Sequence, residues 1–456
     1  MKKSFIQKFQ INGLFGYKNL SFDFSNPIKI LIGENGFGKT TILNTLYWVL
    51  TSDYQNLLRV KFNSINVEFD ENHNYSFTKE QVKKCHQIQQ NRNNIDPSLV
   101  DFIKRNMDPS LLKKLVDSIS APNGQNEFVR IINQNSEIKV GLPVDLVHQV
   151  VIHLSNTELC KPLIELDTYV KSTGFKILYY PTYRRIEEDL KNILKVDNSP
   201  QRILSPSNRE NLFQNNSIIK FGMTDVEERV NKMLQQISSS SLSGFAEVSG
   251  SMIGKLLENK KDELHDFNYE EIEIVLSRVG ENISQAEKNT ILQEIKVDKT
   301  LSQKNQYLRY FLNQLLAVYN KQKTYDIAIK EFVKVCNNYL TDKEFVYNES
   351  TVSLKIFRKT DSKKLEPIEL KQLSSGEKQI VSIFSQLYLE LDKKFIILFD
   401  EPELSLSIFW QEKLLPDMLA SNRCEFMLAV THSPFIYNND LKDNTVGIKE
   451  FEKWNK

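Results

Sequence analysis

The sequence predicts an α/β protein whose mixed sheets, flanked by helices, are interrupted by a large and mainly helical insertion. Three observations carry that expectation. The strand-like run IKILIG (28–33) passes straight into a glycine-rich loop and then an apolar helix, ILNTLYWVL. Near the other end, FIILF (395–399) and MLAV (427–430) are unbroken apolar runs, the pattern of parallel strands buried on both faces. Between them lie long stretches with apolar residues at i, i+3, i+4 and i+7 spacing.

A chain of 456 residues has room for two or three ordinary domains, or for one core with a large insertion. Its net charge of +1 argues against a globally basic nucleic-acid binder, though not against a local patch. The opening MKKSFIQKFQI has lysines but no apolar run behind them, so no signal peptide is expected. The longest apolar runs are strand-sized rather than membrane-sized. Cys85, Cys160, Cys336 and Cys424 lie too far apart for a zinc knuckle or a CxxC pair, and read as buried thiols in a reducing cytoplasm.

Taken in order, FIQKFQI (5–11), LSFDF (20–24) and IKILIG read as strands. GENGFGKTT (33–41) then matches GxxxxGK[ST] between a strand and a helix. Gly33, Gly36 and Gly38 let the backbone approach a phosphate and adopt positive φ. Glu34, Asn35, Phe37 and Thr41 complete the loop and helix start whose N–H groups surround the anion. Lys39 neutralises β- and γ-phosphates, and the Thr40 hydroxyl is placed for Mg²⁺. SINVEFDENHNYSFTKE (64–80) reads as a hairpin, and residues 88–170 as mainly helical, with two Asp-Pro helix starts. FKILYYP (175–181) is a buried strand followed by TYRRIEE, where Arg184, Arg185 and Glu187 read equally as nucleotide sensors or as a charged first helical turn. Residues 196–217 and the Ser-rich 237–251 read as exposed loops. Leu308, Phe311, Leu312, Leu315, Leu316 and Tyr319, then Phe332, Cys336 and Tyr339, read as two helices packed as a hairpin around a polar break at Asn320–Thr324.

In the last hundred residues VSLKIFRK (352–359) and LEPIEL return to strand patterns. LSSGEKQIVSIFSQLYLEL supplies a polar turn entering a helix, a second arrangement suited to an anion. The FIILF strand ends in Asp400 and Glu401. Beside a P-loop, Asp400 can hold Mg²⁺ with Thr40 while Glu401 takes a proton from the attacking water. MLAVTHSPF (427–435) ends in Thr431-His432-Ser433, which puts an imidazole within reach of a γ-phosphate.

GENGFGKT, LSSGE, FIILFDEPELSLS and AVTHS, in that order, resemble the ABC-type ATPase head of the SMC, RecF and OLD-like branch. The resemblance implies an ATPase using ATP and Mg²⁺ at composite sites. Ser374, Ser375, Gly376 and Glu377 would form the signature motif, which caps the γ-phosphate held by a second subunit. Lys39, Glu401 as general base and His432 as switch histidine would be the catalytic set, with PELSLS as the D-loop. The Q-loop glutamine is missing after FKILYYP. The implied organisation is a head split into 1–87, 171–195 and 343–456, with insertions at 88–170 and 196–342.

FGYKNLSFDF, YYPTYRRIEEDL, KFGMTDVEERV and DEPELSLSIFWQ further resemble the ATPase subunit of PARIS-type anti-phage defence. That implies a cytoplasmic homo-oligomer, at least an ATP-sandwiched dimer and up to a hexamer. It would hold a separate TOPRIM-type nuclease until a phage protein triggers release. The sequence has no nuclease pattern of its own and little chain after His432 for an appended nuclease domain. The large insertion between P-loop and signature sets it apart from membrane transporters. The alternative is a RecF/SMC-like DNA repair clamp, which calls for a basic stripe; the lysines and arginines here are interleaved with acids, as in EEDLK.

Overall fold

The computed structural model describes residues 3–34, 36–91, 97–119, 128, 130–132, 144–181, 223–257, 266–301, 306–360 and 365–451. The chain divides into two compact units. The first comprises Met1–Ile218, Lys394–Glu403 and Cys424–Lys456; the second comprises Ile219–Lys393 and Leu404–Arg423.

The first unit opens with β1 (Lys8–Leu14), β2 (Lys18–Asp23) and β3 (Ile28–Ile32), then α1 (Lys39–Leu50), α2 (Tyr54–Leu57), β4 (Ser64–Glu68) and β5 (Asn74–Thr78). Strands β2-β1-β4-β5 form an antiparallel sheet. Alternation in β5 turns Tyr75 and Phe77 inward, where they join Phe9, Phe22 and Val67 in one core with Ile42 and Leu46 of α1. Helices α3 (Lys79–Asn91), α4 (Pro97–Asn106), α5 (Pro109–Ile119), α6 (Val144–Leu159) and α7 (Lys161–Ser172) follow, before β6 (Lys176–Tyr180). Both α4 and α5 open on their prolines, where the missing N–H costs nothing. Ile103, Leu115, Phe128, Val147 and Val150 form a separate small core in this helical region.

One expectation fails here. Cys85 of α3 and Cys160, ahead of α7, are joined as a disulfide rather than held as thiols. Folding brings residues 75 apart in sequence to a Cα separation of 5.6 Å, a proximity that spacing along the chain does not encode. Cys336 is a buried thiol, and Cys424 is half-buried.

The second unit contains α8 (Met223–Leu257), α9 (Tyr269–Arg278), α10 (Gln285–Val297), α11 (Gln306–Asn337), the antiparallel sheet β7 (Lys343–Asn348), β8 (Ser353–Lys359), β9 (Leu365–Ile368), and α12 (Ser375–Leu389). Two more expectations are corrected. The Ser-rich 237–251 is not a loop but the middle of α8. Its hydroxyls return to carbonyls of the same helix, Ser241 to Ile237 at 2.9 Å and Ser249 to Phe245 at 2.8 Å. Its small residues admit α11 closely: a Cβ on Gly244 would lie 2.5 Å from Val318. Residues 306–337 are likewise one helix rather than a hairpin. The polar stretch at 320–324 does not break it, because Gln322 is buried and bonded to Ser241 of α8 at 3.0 Å. The loop expected over 196–217 lies outside the described residues.

The chain then enters the first unit as β10 (Phe395–Asp400), contributes α13 (Ile408–Ala420) to the second unit, and ends in the first with β11 (Cys424–Thr431), β12 (Thr445–Gly447) and a 3-10 turn at Ile448–Phe451. Strands β12-β3-β11-β10-β6 form a parallel sheet. All six residues of β10 are buried, as its continuous apolar run requires. Among the described residues no helix is long and apolar enough to cross a membrane.

The second unit holds a buried ion pair. Arg278 donates to Asp326 at 2.6 Å and to Gln322 at 2.9 Å, and the Tyr347 hydroxyl donates to the same Asp326 oxygen at 2.5 Å. The Arg278 and Asp326 side chains are 3% and 1% exposed. Removing one partner strands the other charge, so Asp326→Ala is expected to cost about 3–5 kcal/mol. Urea unfolding followed by circular dichroism reads this as a lowered midpoint, with a smaller loss for Asp326→Asn.

Candidate nucleotide-binding site

The loop between β3 and α1 takes its shape from glycine. Gly36 and Gly38 have φ of +85° and +83°, a region that costs side-chain-bearing residues. Gly38 is the N-cap of α1, without a side-chain cap. A Cβ there would sit 2.8 Å from the Phe15 ring. The backbone at the helix start is thereby left bare toward any anion.

Lys39 follows, 6% exposed. Its ammonium folds back over the loop, donating to the carbonyls of Gly33 at 2.7 Å and Glu34 at 3.0 Å. Burial lowers its pKa, and the charges of Glu401, Asp400 and Glu403 oppose that shift. The Thr40 hydroxyl donates to Asp400 at 3.2 Å across 360 positions of sequence. A hydroxyl beside a buried carboxylate is a hard-oxygen donor pair suited to Mg²⁺. The Phe37 ring is approached by two lysines, Lys18 at 4.9 Å and Lys449 at 4.8 Å from its centre. Lys449 also reaches Glu34 at 3.5 Å. Deeper in α1, Asn44 accepts from the Tyr179 hydroxyl of β6 at 2.5 Å, which ties the helix to the sheet.

The parallel sheet brings the acidic and imidazole groups to the same edge. Thr431 pairs with Ile32, the residue before Gly33, and Asp400 pairs with Val430. Glu401 has φ of +51°, an uncommon conformation for a residue with a side chain, and its N–H donates to Val430 at 2.8 Å. His432 is exposed just past the end of β11. Glu403, to which the sequence reading gave no role, accepts from the Thr431 hydroxyl at 2.7 Å and the His432 N–H at 2.9 Å. A third acid within four residues of a strand end was the only sequence signal for it.

The residues 374–377 belong to the second unit. Ser374 is the N-cap of α12 and forms a capping box with Glu377: its N–H donates to Glu377 at 2.7 Å, and the Glu377 N–H donates to its hydroxyl at 3.4 Å. The other Glu377 oxygen accepts from buried Lys343 at 2.9 Å. Hydrogen bonds to Asp342 and Glu377 raise the Lys343 pKa against the desolvation that would lower it. Ser374 and Ser375 are exposed, whereas Gly376 and Glu377 are buried. A Cβ on Gly376 would lie 2.5 Å from the Ser405 carbonyl, so only glycine fits. Arg184, Arg185 and Glu187 lie outside the described residues, as does Asn35. Thr41 sits in the first turn of α1, where its carbonyl accepts from Thr45 at 2.6 Å.

A family model described as AAA ATPase domain matches residues 5–437. Among solved structures, the chain is similar to the Smc head domain with an extended coiled coil, bound to the C-terminal domain of ScpA, from Pyrococcus furiosus. The identity is 12%, over 97% of this chain and 93% of that one, with a TM-score of 0.34. It is also similar to the recombination mediator protein RecF-ATPrS of the RecFOR pathway, at 10% identity over 95% and 93% of the two chains, with a TM-score of 0.28. Neither likeness is close enough in shape to say what this chain binds. No curated protein matches it.

The crowding at Gly38 yields a test. Gly38→Ala forces a methyl against Phe15 at a positive φ. It is expected to weaken ATP binding at least about tenfold, the factor that about 1.4 kcal/mol of strain produces. Isothermal titration with ATP measures it, and Gly16→Ala, where nothing lies within 4 Å of the added methyl, controls for positive φ alone.

Proposed function

We propose, from the premise that this chain belongs to the AAA ATPase domain family and is an ATPase, that it hydrolyses ATP at sites completed between two copies of itself. The observation that carries this reading is the meeting of the Thr40 hydroxyl with Asp400, beside Lys39, Glu401 and His432, at one edge of one sheet. On this reading the loop 33–41 and Lys39 hold the phosphates. Thr40 and Asp400 hold Mg²⁺, which supplies charge neutralisation at the phosphate oxygens when bound. Glu401 accepts the proton of the attacking water and His432 senses the γ-phosphate. Arg184 and Arg185 are assigned to nucleotide sensing by sequence position.

Ser374 and Ser375 supply the second half of the site in trans. Their exposure at the start of a 15-residue helix supports an outward-facing anion contact. The smallest working form is then a homodimer with ATP between the copies, and a hexamer is the larger alternative. We place the protein in the cytoplasm as the sensor and scaffold of an anti-phage system, holding a separate TOPRIM-type nuclease that a phage protein releases. The balance of acids and bases supports a scaffold over a RecF/SMC-like DNA clamp.

Glu401→Gln is expected to bind ATP but lower kcat about 10²–10⁴-fold, the usual worth of a general base, and to accumulate as a dimer on size-exclusion chromatography. Normal turnover by that variant removes Glu401 from the mechanism. Ser374→Arg is expected to retain nucleotide binding and lose hydrolysis. Mixing it with Lys39→Ala restores part of the activity if sites are composite; no restoration overturns the trans arrangement. Strong stimulation of the wild-type rate by duplex DNA would favour the clamp.

A further inference from the structure

We propose that Glu403 is a positioning residue for ATP hydrolysis: its carboxylate fixes the backbone that carries His432. The proposal rests on the reading of His432 given above. β11 ends at Thr431, so the N–H groups of His432 and Ser433 have no strand to pair with. One carboxylate organises both. Its Oε1 accepts the His432 N–H at 2.9 Å, and its Oε2 accepts the Thr431 hydroxyl at 2.7 Å. The same hydroxyl oxygen accepts the Ser433 N–H at 3.0 Å. Three consecutive residues are thus referred to a single side chain, while the imidazole between them stays exposed. The backbone is held and the ring is left available.

The geometry also explains why an acid is needed. The His432 N–H and the Thr431 hydroxyl are both donors toward Glu403, and a carboxylate is acceptor-only, with two oxygens to offer. Glutamine keeps the size but turns an NH₂ toward one of the two donors. Glu403 stands two residues beyond Glu401, on the segment leaving β10, and the His432 segment leaves the neighbouring strand β11. The clamp therefore fixes the spacing between the proposed base and the proposed phosphate sensor. Glu403 is also one of the charges felt by Lys39, so its neutralisation can alter phosphate affinity by a separate route. The Thr431 contact separates the two effects, because removing that hydroxyl changes no charge.

The test is a double-mutant cycle on steady-state ATP turnover, with thermal melting to confirm that each variant is folded. Glu403→Gln is expected to lower kcat about 10- to 100-fold, the loss of a hydrogen bond to a charged group, while KM for ATP stays the same or falls. Thr431→Val is expected to lower kcat in the same direction with KM unchanged. In a His432→Ala background, Glu403→Gln is expected to cost nothing further, because the residue it positions is gone. An equal loss in both backgrounds overturns the positioning role and leaves the His432 reading standing, as does a rise in KM with kcat intact. If His432→Ala itself turns over normally, the His432 reading and this proposal fall together. Should Glu403→Gln not fold, the Thr431→Val and His432→Ala cycle decides the question by the same criterion.

Discussion

Parallel pairing of β3 with β11, and of β11 with β10, brings Ile32, Thr431 and Asp400 to one edge of one sheet. The candidate site of the first unit hangs on that register. Parallel strands run the same way, so their C-terminal ends emerge together, and the loops leaving them share a crevice. The P-loop leaves β3, the two acids leave β10, and the histidine leaves β11. A slip of one residue would turn each strand's side chains to the opposite face and part Thr40 from Asp400. Of the strands that set it, β10 and β11 are buried on both faces almost throughout, and β3 is buried at Ile30 and Leu31.

The same constraint decides what was legible in the sequence. The loop 33–41, the acids at 400–401 and the histidine at 432 could be read because each follows a strand-like run, unbroken and apolar before the acids and the histidine. The strand and its end are written in neighbouring residues. The Glu403 contacts were not legible, since DEPE gives no hint that its last acid turns toward a strand 28 residues later. The Cys85–Cys160 pair was hidden for the same reason, being a product of packing rather than spacing. Local composition misled in two places. Serines in α8 and polar residues at 320–324 of α11 looked like breaks, but each helix supplies the other's missing partners: Ser241 meets Gln322, and Gly244 lets Val318 approach. Propensity is a weak prior where tertiary contacts satisfy the polar groups.

The turn at 374–377 has a structural role of its own. Ser374 and Glu377 satisfy the first turn of α12 by a capping box, which alone explains a serine and a glutamate at that spacing. Gly376 is fixed by the Ser405 carbonyl beneath it. The Glu377 charge is matched by Lys343 and buried. A local structural account thus covers Glu377 and Gly376 completely. It leaves the exposure of Ser374 and Ser375 unexplained.

Lys39 and the acids around it behave as one electrostatic unit. Burial disfavours the ammonium, and Glu401, Asp400 and Glu403 favour it. Without those acids the lysine would be a poorer cation for phosphate. With them, the crevice edge carries negative charge, which a divalent cation held by Thr40 and Asp400 would offset on the reading proposed above. Two neutral loop carbonyls accept from the ammonium. Those bonds are already charge-assisted by the ammonium, and anionic phosphate oxygens would add charge–charge attraction. On the reading proposed above, exchange of one acceptor for the other would move the lysine from the loop carbonyls to the phosphate.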